Sequence, residues 1–289
     1  MQNPAILKEI EGLDPVTDCQ RIVYLMVAYE FTHEIVRALD VAYLGSGGNK
    51  AVADILGRSQ YLANGMKRYD DTRFLILKFL ECGWDQEEGA RAIRQMNMIH
   101  SKYRIENRQF VLALCVFMVT PLFWIEKFGW RALTERERGA WFRFWINIGH
   151  QMDLHDMPGS LESVAELLDG YYTGREDISE YSKVLGESTM EIFVAKAPWY
   201  FRPFARTYYR TFFRESLVRA FGLAELPLVV KAVVFVGVKL NSLRRKVLAP
   251  SPFPYLVAFQ PLVSYQDTVP RVESAGPDHI VKRMGNSAG

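Results

Sequence analysis

Cysteine is scarce in this 289-residue chain: Cys19, Cys82 and Cys115 stand far apart, odd in number and without CxxC or metal-type spacing. That excludes a disulfide framework and a thiolate metal site made from neighbouring pairs, and the three read as buried thiols in a reducing compartment. Charge of one sign is equally thin. With 35 basic and 33 acidic residues the formal net charge is +2, so the concentrated basic surface that releases counterions from a nucleic acid is not expected. Apolar runs long enough for a membrane are also missing, since a spanning helix needs about 20 consecutive apolar residues. The segment FVLALCVFMVTPLFWI (110–125) falls short and carries Pro121, while the segment 226–238 begins beside Pro227 and holds Lys231, with Lys239 just beyond. Both read as central core helices. The glycines form no phosphate loop, dinucleotide fingerprint or nucleophile elbow. MQNPAILKEIEGLDP at the N-terminus has no basic stretch leading into an apolar core, so the expected location is cytoplasmic.

What is present is apolar and helical. A hydrophobic content of 49% with 13% aromatics over this length supports a large core, and a single domain is the simplest way to bury it. Helix punctuation runs through the chain. Asp14-Pro15 starts a helix running towards Leu44, and the cluster GSGGN (45–49) breaks it. One or two short helices follow over 50–62, with a turn at Asn64 and Gly65. Asp71 or Thr72 then caps RFLILKFLEC, which Gly83 ends. Asp85 with Glu88, and Thr134 with Glu137, have capping-box spacing. Asn107 or Arg108 opens the apolar helix, Gly129 stops it, and the next helix ends at Gly149. Further helices are expected over 161–172, 176–197, 204–221 and 227–248. No repeat and no alternating strand is found. The expectation is an all-α fold, globin-like or bundle-like, in one large helical domain over 1–248, followed by a proline-containing strap and a disordered tail over 249–289.

Few residues here can carry chemistry. His100 follows Met96 and Asn97 by one helical turn and Ile93 by two, giving it a mostly apolar face with one amide. A neutral imidazole in such a place can ligate iron axially or be a core histidine bonded to a carbonyl. No second histidine stands at i+3 or i+4, so a zinc site on this helix is not indicated. His150 and His155 lie in a turn-like stretch between Gly149 and Pro158 that suits capping and turn contacts. Arg202, Arg206, Arg210 and Arg214 recur every four residues among aromatics. That stripe reads as a site for anionic lipid headgroups or cofactor propionates, or as a solvated face paired with acids such as Glu215. The run LRRK (243–246) is explained by a helix C-terminus.

The order of KRYDDT (67–72), AIRQMNMIHSKYRIEN (92–107), FWIEKFGWRALTERERGAWFRFW (123–145) and IGHQMDLHDMPGS (148–160) resembles the MpaB-like oxygenases, relatives of the rubber oxygenase latex-clearing protein. The resemblance covers roughly residues 43–226 and is densest over 94–160. It implies a mostly helical fold that holds haem b and uses O2 to cleave C=C bonds in isoprenoid chains. The family's proximal histidine falls near Leu114, where this chain has no histidine anywhere from 110 to 125. The MNMIH histidine matches the MpaB-like branch, so the resemblance implies His100 as the haem contact and iron ligand. It also implies Arg94, with Asn97, as the groups orienting bound oxygen or a propionate, and Leu114, Phe117 and Met118, beside Phe110, as pocket walls. The implied partners are O2 and a hydrophobic small molecule, and the arginine stripe is the expected place for any peripheral membrane contact. A haem-free helical protein that binds a lipid or isoprenoid is the alternative.

Overall fold

The computed structural model describes residues 4–46, 48, 50–59, 61–173, 178–248, 253–255, 262–266 and 268–285. The described residues are helical, with no strand among them. In chain order the helices are α1 (Pro4–Gly12), α2 (Cys19–Leu25), α3 (Thr32–Ser46), α4 (Lys50–Arg58), α5 (Tyr61–Cys82), α6 (Glu87–His100) and α7 (Asn107–Phe128). There follow α8 (Glu135–Gln151), α9 (Leu161–Thr173), α10 (Ser182–Lys196), α11 (Arg202–Arg210), α12 (Glu215–Ala220), α13 (Leu228–Val247) and α14 (Asp278–Gly285). This is the single all-α domain that the helix punctuation predicted.

Helix α7 is the axis of the core. It packs against α3, α8 and α9, while α5 lies along α6, and α2 against α8. Met118 and Cys115 are fully buried, and so are Trp141, Phe144 and Trp145 of α8. Trp145 meets Phe79 edge-on at 5.9 Å and stacks on Phe117 at 6.4 Å, in the offset geometries that suit aromatic quadrupoles. Pro121 has no N–H to give the preceding turn, yet α7 continues through it to Phe128. Thr120 donates to the Val116 carbonyl at 2.7 Å, and Trp141 to the Met118 carbonyl at 2.8 Å. Burial raises the Cys115 thiol to about 12, which makes it inert.

The start of α8 follows its sequence signal: Thr134 accepts from the Glu137 N–H, and Glu137 accepts from the Thr134 N–H, a complete capping box. The buried Glu137 also meets Arg131 at 2.6 Å, and Arg131 bridges to Glu30 at 2.8 Å. Glu30 ends a π-helical turn, Met26–Glu30, which splits the single helix expected from Asp14 to Leu44 into α2 and α3. The Glu30 carbonyl accepts from Trp130 Nε1 at 2.7 Å. One arginine thus ties this break to the α7–α8 turn.

Elsewhere the boundaries move. Asp71 and Thr72 cap nothing: they lie mid-helix in α5, where the Asn64 turn is only a kink. Asp85 opens no capping box, because Gln86 is the residue preceding α6 and Asp85 accepts from Gln20 at 2.6 Å. The expected helix over 204–221 is two, α11 and α12. Of the expected break at 45–49, residues 47 and 49 lie outside the described residues, as do 249–252 and 256–261 of the strap and 286–289 at the end. Asp267, the expected start of the disordered tail, also lies outside the described residues, and described residues after it are bonded to the domain. Gln95 donates to the Ala275 carbonyl at 2.6 Å, Arg91 pairs with Glu273 at 2.5 Å, and Lys67 donates to the Gly276 carbonyl at 2.7 Å. Gly276 has φ +139°, and a Cβ there would come within 2.9 Å of Ile99. Glycine is required for this approach.

The largest departure is α13. Expected as a core helix, it buries only Ser242 fully. Its inner side, with Phe235 and Val238, rests on Trp124, Phe128 and Phe212, and its outer side is uncovered.

Candidate functional site

Helix α6 runs along α5 and ends at His100; the turn through Tyr103 then brings in α7, so that the first turn of α7 meets the histidine. The His100 and Phe110 rings are 4.8 Å apart and tilted by 42°. Nδ1 of His100 is buried and has no hydrogen-bond partner. Burial, and then the positive charge of Arg68 on α5, lower its pKa from 6.5 to about 4, because both disfavour adding a proton. At neutral pH the imidazole is uncharged, the state in which a nitrogen can coordinate a metal.

The residues grouped with His100 in the sequence reading are dispersed. The Arg94 side chain is 62% exposed and pairs with Glu87 at 2.6 Å, so it is turned away from the imidazole. The guanidinium that bears on His100 belongs to Arg68. Asn97 donates to the Gln151 carbonyl at 2.8 Å, tying α6 to the end of α8. Leu114 faces Gly149 of α8, where a Cβ would come within 3.1 Å of it. Phe117 packs on Trp145, and Met118 is sealed among core side chains. Of the predicted walls, Phe110 is the one whose ring packs against His100. Among the described residues no cluster of three or more His, Cys, Asp or Glu is arranged to hold a metal.

Sequence reasoning passed over a buried polar chain on α5. Tyr69 donates to Asp40 of α3 at 2.5 Å, and Lys196 of α10 sits 4.3 Å over the Tyr69 ring and 3.5 Å from Asp70. Ser264 donates to Asp70 through both its N–H and its hydroxyl, at 2.8 Å each. Burial, then the charge of Arg73, lowers the Lys196 ammonium to about 8. The available signal was KRYDDT itself, whose Tyr69, Asp70 and Asp71 are buried: a polar run leading into the apolar FLILKFL.

Two kinds of space adjoin these groups. A cavity of about 20 Å³ lies between Tyr69, Thr72, Arg73 and Phe117, room for about one water. A cavity of about 630 Å³ lies along the second half of α7, lined by Val116, Thr120, Phe123, Phe212, Lys231 and Phe235 among others, with no histidine. At 1.5 Å per residue, Val119 on its wall is roughly 13 Å along α7 from Phe110. Imidazole and large cavity therefore occupy opposite halves of one helix.

Residues 25–238 match the family model described as ER-bound oxygenase mpaB/B'/Rubber oxygenase, catalytic domain. The chain belongs to this oxygenase family. It is similar to the ER-bound oxygenase mpaB of Penicillium roqueforti (strain FM164), 26% identical over 132 residues, which are 43% of this chain and 44% of that protein. It is also similar to mpaB and mpaB' of Penicillium brevicompactum, each 24% identical over 136 residues, 45% of this chain and 35% and 32% of theirs. The matches span less than half the length of these relatives.

Two further sets of residues in this oxygenase-family chain have structural partners. His150 and His155 are exposed, and Asn107 pairs with the His155 backbone at 2.8 and 3.1 Å, flanked by Asp153 and Asp156 at φ 59° and 57°. The arginine stripe is occupied by the protein itself. Arg202 donates to the Ala195 and Ala197 carbonyls at 3.1 Å, Arg206 pairs with Glu187 at 2.9 Å and with Glu191, and Arg210 donates to the Ala224 carbonyl. Arg214 is separated from the others, because α11 ends at Arg210 and Arg214 precedes α12. Of the readings open to the stripe, the one in which it pairs with acids of the chain fits Arg206, and the stripe fastens α11 to α10 and to the segment after α12.

Proposed function

We propose that this oxygenase is haem-dependent and acts with O2 on a C=C bond of a hydrophobic, isoprenoid-type substrate, with His100 as the iron ligand. The observation that carries the reading is an uncharged, partly buried imidazole whose Nδ1 is buried and has no partner, since a buried polar atom left unbonded costs about 1–3 kcal/mol unless something satisfies it. As donors, the residues fit haem b: His100 for the iron, and the Arg68 guanidinium for a propionate. Phe110 packs against the imidazole at 4.8 Å, so a macrocycle at His100 would need that ring to move aside. Haem bound in this place supplies the iron chemistry that activates dioxygen. The chain's own part is to hold His100 neutral, by burial and by the positive charge of Arg68 on α5. Arg94 joins the site only if it leaves Glu87, and Asn97 only if it releases Gln151; Arg68 is the better placed cation. The test is a pyridine haemochrome assay on protein expressed with haem supplied, for wild type and His100→Ala. Haem in the wild type and its loss in a folded variant support the assignment; a colourless, folded wild-type protein sinks it.

A second reading rests on the cavity of about 630 Å³, whose apolar walls lie far from His100. A haem-free protein that binds a lipid or isoprenoid would use that space, gaining affinity as the chain leaves water. Val116→Trp, which fills the cavity from α7, abolishes binding of a fluorescent polyprenyl probe under this reading and leaves it unchanged otherwise.

A further inference from the structure

The outer face of α13 has no internal purpose. Val229, Val233, Val236, Leu240, Leu243 and Val247 recur at alternating steps of four and three, and each is between 45% and 74% exposed. At 3.6 residues per turn they fall within an arc of about 100°, and Phe123 of α7, 55% exposed, lies on the wall of the cavity that Phe235 and Lys231 of α13 also line. A contiguous apolar stripe of this length marks an interaction surface. The charge pattern selects its occupant. Between Glu225 and Asp267 the chain has five basic residues and no acidic one. Arg245 points inward to Glu34 at 2.5 Å. Lys239, Arg244 and Lys246 are exposed and flank the stripe on both sides by helical spacing, Lys239 also donating to the Lys127 carbonyl at 3.3 Å. A second copy of α13 would bring those cations against their own kind with no carboxylate to answer them, which is unfavourable for a helix pair. An anionic bilayer answers all of them, with apolar side chains entering the acyl boundary and the basic ones reaching back to headgroups.

We propose that α13 lies flat on an anionic lipid surface and is the chain's membrane-docking element, in place of the arginine stripe. The assignment is independent of the chemistry at His100, because it needs neither cofactor nor substrate.

The experiment is co-sedimentation of the full chain with phosphatidylcholine vesicles with and without 30% phosphatidylserine. Wild type is compared with Val236→Glu/Leu240→Glu, with Lys239→Glu/Arg244→Glu/Lys246→Glu, and with Arg206→Glu as the control for the stripe. Binding is expected to favour anionic vesicles and to weaken as salt rises. The triple charge variant should lose about a hundredfold or more in affinity, at about tenfold per 1.4 kcal/mol and about 1 kcal/mol per basic residue near the surface. The apolar double variant should lose binding as well, while Arg206→Glu retains it. Circular dichroism and thermal melts confirm that the exposed substitutions leave the fold intact. No sedimentation of wild type with anionic vesicles overturns the proposal, and so does binding that survives the α13 variants or is lost only in Arg206→Glu. A wild-type dimer by analytical ultracentrifugation that Val236→Glu/Leu240→Glu converts to monomer, without vesicle binding, overturns it in favour of a second copy.

Discussion

Helices α7 and α13 each carry an apolar run, over 110–125 and 226–238, and in sequence both read as core helices. In the fold they are opposites: α7 is enclosed by α3, α8 and α9, and α13 touches the domain along one side only. Helix α7 is long and apolar enough to cross a membrane, yet half of its most apolar stretch is buried inside the protein. What separates them is the disposition of their neighbours. Large aromatics on α8 interdigitate with α7, whereas the valines and leucines on the outer side of α13 stay exposed. Apolarity states that a surface must be covered; it does not state by what.

That contrast can be broken by mutation. The greatest loss is expected from Arg131→Met, which strands the buried carboxylates of Glu30 and Glu137 at the turn leaving α7 and should cost about 3–5 kcal/mol in urea unfolding. Met118→Ala, at the fully buried centre of α7, should follow at about 2–5 kcal/mol. The matched change Val236→Ala on the open side of α13 should stay within about 0.5 kcal/mol. An α13 substitution as costly as the α7 one would mean that the outer face is covered within the domain after all.

A pH titration probes the first turn of α7. Burial holds His100 near pKa 4 in the fold against 6.5 unfolded, so the unfolded chain binds the extra proton in that window. This contribution to stability is complete above pH 6.5 and is lost as pH falls towards 4. His100→Leu should flatten that part of the melting curve, and an unchanged slope would show that the imidazole is already wet. Thr134→Ala, which removes the α8 cap, should cost about 1 kcal/mol in urea unfolding, between the α7 and α13 substitutions.

Much of the helix order could be read from residues alone. The Thr134–Glu137 box, the Gly129 stop and the start at Asn107 are local: a cap is satisfied by atoms within a turn of itself. Where local and distant forces compete, the distant ones prevailed. Asp71 and Thr72 look like caps in sequence, but Tyr265 and Lys67 engage Asp71, so the polar run is absorbed inside α5. The same reason explains the site. The resemblance put Arg94 on the helix of His100, six residues before it, yet Arg94 pairs with Glu87, and no periodicity within α6 can announce that the charge of Arg68 on α5 lowers the His100 pKa.

By itself the sequence determined that this chain is helical, that its core is aromatic and centred on residues 110–145, and that His100 would sit in apolar surroundings. Those properties follow from turn chemistry and from side-chain transfer out of water, which each segment carries with it. Tertiary structure alone decided which apolar helix is enclosed, which arginines are spent on internal carboxylates and carbonyls, and which guanidinium stands by the histidine. These depend on how distant segments meet, and a pairing energy exists only once both partners are in place.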